Sequence, residues 1–89
     1  MQYFVYILYN RENGRFYVGK TANLRRRLNQ HKNAKLSHRN IRFICIFVEI
    51  FINQEDADKR EKYFKSSKGK YTLRAMLKNT LQDFQSHKT

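Results

Sequence analysis

The stretch that decides the fold is Tyr3-Phe4-Val5-Tyr6-Ile7-Leu8-Tyr9, then Asn10-Arg11-Glu12-Asn13-Gly14, then Arg15-Phe16-Tyr17-Val18-Gly19. Residues 3–9 are β-branched and aromatic almost throughout, which predicts a strand. The Asn-Gly pair that follows predicts a turn, and Arg15 to Gly19 a second strand, so residues 3–19 form a hairpin. With the loop at residues 10–13, Tyr9 stands opposite Gly14 and Tyr6 opposite Tyr17. Residues opposite one another in a ladder project on the same face, so the two tyrosines share one.

Outward from the hairpin, Thr21 caps a helix expected over residues 22–34. Leu24 and Leu28 form its apolar stripe. Arg27 and His31 lie beside that stripe, one turn apart, while Arg25 and Arg26 point away from it. Residues 35–40, with His38, make a polar loop. Ile41 to Ile52 is the most apolar run, with both alternating faces mostly apolar, which predicts a central strand covered on both sides. Asn53 caps a helix over residues 54–66, with Asp56 well placed in its first turn. Ala57, Glu61 and Phe64 share one side of that helix, so Glu61 is a lone acid in an inward stripe, a breach of pattern typical of functional sites. Gly69 is expected to end this segment. Leu73, Leu77, Leu81 and Phe84 mark one last amphipathic helix. The order β-β-α-β-α-α describes an α/β (α+β) domain over residues 1–85 with a small, mainly antiparallel sheet, followed by a polar tail over 86–89.

Composition narrows the partners. The chain has 89 residues and a formal net charge of +12, with a sequence pI of about 10.2. A lone cysteine, Cys45, excludes internal disulfide stapling and favours a reducing, cytoplasmic setting. No run reaches the roughly 18 apolar residues of a membrane span, and the N-terminus lacks the pattern of a secretory signal. The charge excess points to a polyanion, nucleic acid before an anionic membrane surface. The membrane reading lacks a basic amphipathic helix with a bulky aromatic face. Six tyrosines and seven phenylalanines argue for a folded core rather than a charged disordered chain.

Tyr6, Tyr17, Arg27, His31 and Glu61 together are a kit for phosphodiester hydrolysis. A single carboxylate holds a hard cation such as Mg²⁺ or Mn²⁺ whose remaining ligands are water and phosphate oxygen. An arginine stabilises charge on the phosphate in the transition state. A tyrosine accepts a proton from water if nearby cations lower its pKa from about 10.

At this point the chain resembles a known family, the GIY-YIG endonucleases. Val5-Tyr6-Ile7 stands where the family has Gly-Ile-Tyr or a variant, and Tyr17-Val18-Gly19 stands for Tyr-Ile-Gly. The run from Lys20-Thr21 through Leu24-Arg25-Arg26-Arg27-Leu28 to His31 looks like the family's second segment. Lys59-Arg60-Glu61-Lys62, Phe64-Lys65 and Lys68-Gly69-Lys70 are similar to the branch of short, single-domain bacterial members. The likeness covers roughly residues 3–72. It implies a three-stranded antiparallel sheet flanked by helices and divalent-metal-dependent DNA cleavage, in DNA repair or recombination. It implies that Tyr6 and Tyr17 line the site, Arg27 meets the scissile phosphate, Glu61 binds the metal, and Lys20 and His31 assist. No small-molecule cofactor is expected. The chain departs from the pattern at Val5, and Asn79 is the nearest candidate for an asparagine that many members place after the glutamate.

Several alternatives stay open at this level. Glu61 has an ordinary reading, an ion pair with Lys65 four residues on, and Glu49 is the other acid a strand turns inward as a possible ligand. Either tyrosine is a candidate general base. Cys45 reads as a small core residue. Arg25, Arg26, His38, Lys62, Lys65, Lys68 and Lys70 are candidates to track a DNA backbone. A non-catalytic basic nucleic-acid-binding module is the competing function. Without a recognition domain beside the core, cutting is expected to follow DNA structure, or to have low sequence specificity.

Overall fold

The computed structural model describes residues 1–33 and 43–86. The hairpin is present as β1 (Tyr3–Asn10) and β2 (Phe16–Thr21), antiparallel. Its turn sits one residue later than the spacing suggests. The Asn10 amide donates to the Arg15 carbonyl at 2.9 Å, and the Asn10 side-chain oxygen accepts from the Glu12 and Asn13 amides at 2.8 and 3.3 Å. Gly14 takes a φ of 73°, which only a residue without Cβ adopts at little cost, so it belongs to the turn and not to a strand. Tyr6 therefore pairs with Gly19, and Tyr17 with Leu8. The partner of each residue moves by two positions, an even number, so Tyr6 and Tyr17 still share a face as diagonal neighbours.

The third strand, β3 (Phe43–Phe51), pairs antiparallel with the other side of β1, giving the order β2-β1-β3. This corrects the expected centre of the sheet. The hairpin strand β1 is central and buried from Val5 to Asn10, whereas the more apolar β3 lies at an edge and is only partly buried. A bulge opposite Ile7 and Leu8 pairs them with Phe47 and Cys45 and skips Ile46. Ile46 and Phe47 then both pack on the core, which uses up apolar residues that strict alternation assigned to two faces.

Local signals set the helix ends. α1 (Leu24–Asn33) starts from Asn23 rather than Thr21: the Asn23 side chain accepts from the Arg26 amide at 3.0 Å, while the Thr21 hydroxyl accepts from the Asn23 amide one step earlier. α2 (Gln54–Lys65) starts at Asn53, which accepts from the Glu55 and Asp56 amides. The expected final helix is two, α3 (Ser67–Met76) and α4 (Lys78–Ser86). Ser66, not Gly69, separates α2 from α3, because its amide closes the first helix on Tyr63 and its hydroxyl caps the second at the Gly69 amide. Gly69 serves close approach instead: a Cβ there would stand 1.8 Å from the Tyr63 carbonyl oxygen.

Val5, Ile7 and Val18 from the sheet meet Ala57, Phe64 and Leu73 from α2 and α3 in the main core. Fully burying each larger side chain contributes roughly 1.5–3 kcal/mol. Phe84 of α4 stacks on Tyr9 with centroids 5.4 Å apart, and Arg74 of α3 donates to the Gly14 carbonyl at 3.1 Å with its guanidinium 4.7 Å over Phe16. These contacts tie the hairpin end to the helical layer. The opposite face of β1 carries Tyr6 and receives α1. No helix among the described residues is long and apolar enough to cross a membrane.

Candidate active site

Tyr6 is the centre of the site. It lies mid-strand in β1 and is fully buried. Its ring crosses β2 at Gly19, where a Cβ would stand 2.3 Å from both Cζ and the hydroxyl oxygen. That bare glycine lets the hydroxyl reach α1, where it lies 3.0 Å from His31 Nε2. The His31 ring stands edge-on to both tyrosines, 5.8 Å from Tyr6 and 5.2 Å from Tyr17. Burial, seconded by the Arg27 charge, holds the His31 pKa below its ordinary 6.5, so the imidazole is neutral at neutral pH. Burial also raises the Tyr6 phenol, with Tyr17 and Glu61 adding to the rise and Arg27 opposing it. Tyr6 is therefore a neutral phenol bonded to a neutral imidazole.

Arg27 comes from the same face of α1, one turn before His31. Its guanidinium carries a buried Nε with no hydrogen-bond partner among the described residues. A buried donor left unsatisfied costs about 1–3 kcal/mol, more when charged. The same side chain hydrogen-bonds the Tyr6 phenol, and an anion is the kind of group that would satisfy the remaining donor and its charge. Arg25 and Arg26 are exposed, as the helical spacing suggests.

The acid arrives from α2. Glu61 sits in the stripe between Ala57 and Phe64, both fully buried, with its side chain 22% exposed. Lys65, four residues on and 56% exposed, pairs with it at 3.2 Å. The ordinary ion pair is thus present, but a pair with so exposed a partner contributes at most about 1 kcal/mol. The Glu61 charge is felt by both Tyr6 and Lys20. Lys20 of β2 forms an ion pair with Asp58, one turn before Glu61. The Asp58 hydrogen bond, opposed by burial and helped by the Asp58 and Glu61 charges, holds Lys20 above its usual pKa. The sequence reading omitted Asp58, although its i, i+3 spacing from Glu61 on one helix side was a signal that could have found it.

Glu49, the alternative acid, is engaged elsewhere. Arg60 grips it with two bonds of 2.7 and 3.0 Å, and the same guanidinium lies 4.2 Å over the Phe64 ring. Among the described residues no three of His, Cys, Asp and Glu gather around one point. A cation at this site would rest on Glu61 and complete its shell with water and phosphate oxygens. That donor set fits Mg²⁺, which keeps several waters and takes one or two carboxylates.

The remaining candidates divide. Lys62, Lys65, Lys68 and Lys70 are exposed on α2 and α3, and Asn79 is exposed on α4. His38 lies outside the described residues. Burial pushes the Cys45 thiol up, which keeps it from being a nucleophile.

The GIY-YIG catalytic domain model matches residues 2–75. A UPF0213 protein from Bacillus halodurans, solved by NMR in solution, superposes with a TM-score of 0.57 at 30% sequence identity, over 85% of each chain. No curated protein matches the chain significantly.

Proposed function

From the premise that the chain belongs to the GIY-YIG catalytic domain family, a nuclease family acting on DNA, we propose that it is a divalent-metal-dependent endonuclease that hydrolyses phosphodiester bonds. The observation that carries this reading is the buried Nε of Arg27 beside Tyr6 and His31, without a hydrogen-bond partner among the described residues. The scissile phosphate binds there and supplies the missing acceptor. As charge builds on the phosphate in the transition state, Arg27 stabilises it without reorganising. Tyr6, buried and held as a phenol, braces His31 and fixes the geometry. Tyr17, 44% exposed and edge-on to His31, is the tyrosine that water reaches; acting as a phenolate, it takes the proton of the attacking water and becomes the neutral phenol as the hydroxide adds to phosphorus. Lys20, kept charged by Asp58, adds positive potential at the mouth. Glu61 would hold the divalent ion, Mg²⁺ or Mn²⁺, which would supply neutralisation of charge on the phosphate and on the departing oxygen.

Exposed Arg25, Arg26, Lys62, Lys65, Lys68 and Lys70 attract the DNA backbone, and such contacts carry no sequence information. Cutting is then selected by strand structure rather than by sequence, and the role we propose for it is in DNA repair or recombination in the cytoplasm.

The test incubates purified protein with branched, single-stranded and linear duplex DNA in Mg²⁺ or Mn²⁺. Wild type nicks at least one substrate, Arg27→Ala slows nicking about 100- to 1,000-fold, and Glu61→Ala brings it to background. Wild-type nicking at background, equal to Glu61→Ala, with salt-sensitive binding retained, assigns the chain instead to the non-catalytic nucleic-acid-binding class.

A further inference from the structure

Four aromatic rings run in series across one face of the sheet. Tyr6 lies 5.8 Å from His31, His31 lies 5.2 Å from Tyr17, and Tyr17 lies 6.2 Å from Phe43, centroid to centroid. The series begins fully buried at Tyr6 and ends in solvent, with Tyr17 at 44% and Phe43 at 39% exposure. Phe43 opens β3, opposite Asn10 of β1, and Tyr17 of β2 is opposite Leu8 of the same strand. The two rings therefore meet over β1, next to the reacting groups.

We propose that Tyr17 and Phe43 form a stacking shelf for an unpaired base of the DNA strand whose phosphate binds at Arg27. The proposal deepens the nuclease reading and rests on it. Two adjacent, tilted, half-exposed rings are not the scattered single apolar residue that a surface normally carries. Every nucleobase presents a π-face, so a ring shelf binds bases without reading their sequence. The exposed Arg25 and Arg26, on the helix that supplies Arg27 and His31, provide the complementary charge for the backbone of that strand. A base inside a duplex is already covered by its neighbours above and below. Only a base released from the stack offers a face to Phe43, so the shelf selects a strand that is single or frayed beside the cut.

The experiment uses the full chain in EDTA, where binding is read apart from cleavage. The probes are oligonucleotides with 2-aminopurine in a single-stranded segment or inside a duplex. Wild type quenches the single-stranded probe more than the duplex one. Phe43→Ala weakens single-strand binding about five- to hundred-fold, the range for loss of one base–aromatic stack, and leaves duplex binding within about twofold. Phe43→Tyr restores the affinity, because it restores the ring. Phe43→Leu, which keeps apolar bulk and guards against a folding defect, behaves like Phe43→Ala. Equal weakening on both probes, no weakening, or wild-type single-strand affinity of Phe43→Leu overturns the shelf.

A Mg²⁺ cleavage assay on the same proteins separates the two readings. If wild type shows ring-dependent quenching and no nicking, the catalytic reading fails and the shelf survives as a binding site. If wild type nicks and Phe43→Ala keeps the wild-type ratio of single-strand to duplex cutting, the shelf fails and catalysis stands.

Discussion

Replacing Gly19 by alanine sets a methyl group against the Tyr6 ring. Gly19 is not among the positive-φ glycines, so its backbone accepts alanine without strain. By chain entropy alone the change would stabilise the fold by roughly 0.4–1 kcal/mol. The new Cβ, however, falls 2.3 Å from Tyr6 Cζ and its hydroxyl, and 2.8 Å from Cε1. The ring is fully buried and its hydroxyl is tied to His31, so it has little room to retreat. Overpacking of this kind costs about 1–3 kcal/mol. At about 4–8 °C per kcal/mol for a domain of this size, the melting temperature falls by roughly 5–20 °C. The assay is thermal unfolding by circular dichroism, in wild type and in a Tyr6→Leu background. Without the ring, the same Gly19→Ala change loses its penalty and becomes neutral or slightly stabilising, so the two substitutions couple by at least about 1 kcal/mol. A Gly19→Ala protein that melts within about 1 °C of wild type, or that loses as much stability without the ring as with it, would refute the reasoning.

Other outcomes follow from the same geometry. Glu49→Gln breaks a two-bond pair with Arg60, whose side chains are only about a quarter to a third exposed; it should cost about 1–3 kcal/mol in urea unfolding and leave DNA cleavage intact. Glu61→Gln should do the reverse, with stability almost unchanged because its partner Lys65 is exposed, and cleavage at background in a nicking assay. The His31 pKa is lower folded than unfolded, so the unfolded chain binds the proton more readily. The stability tied to that group is intact above about pH 6.5 and drains away as pH falls through that value toward the folded pKa; melting curves against pH should show this slope in wild type and a shallower one in His31→Gln. Gly69→Ala places a methyl 1.8 Å from a backbone oxygen that cannot rotate aside, so it should cost about 3 kcal/mol or more, beyond Gly19→Ala, in the same unfolding assay.

Much of this molecule was legible along the chain because short-range patterns carry it. A β-branched and aromatic run with an Asn-Gly turn gives a hairpin wherever it is placed, and Asn53 caps a helix using only its own next three residues. The faces of Tyr6 and Tyr17 survived the misplaced turn because the pairing slipped by two. Arg27 and His31 fall on one side of α1, and Ala57, Glu61 and Phe64 on one side of α2, by the 100° helical step alone. The local pattern did mislead where one residue serves two elements: Ser66 ends one helix and starts the next, and Gly69, an apparent break, is a contact point.

The sequence by itself determined the elements, their inward faces and the set of side chains able to handle a phosphate. Tertiary structure alone decided which strand is central, that Arg60 binds Glu49, that Asp58 holds Lys20, and that Arg27 Nε is left buried without a partner among the described residues. The physical reason is range. Periodicity and capping are settled within a turn or two of chain. The choice of partner for β1, or of cation for each carboxylate, is a competition among groups far apart in sequence. Packing and desolvation of the whole assembly, which no local pattern records, settle that competition.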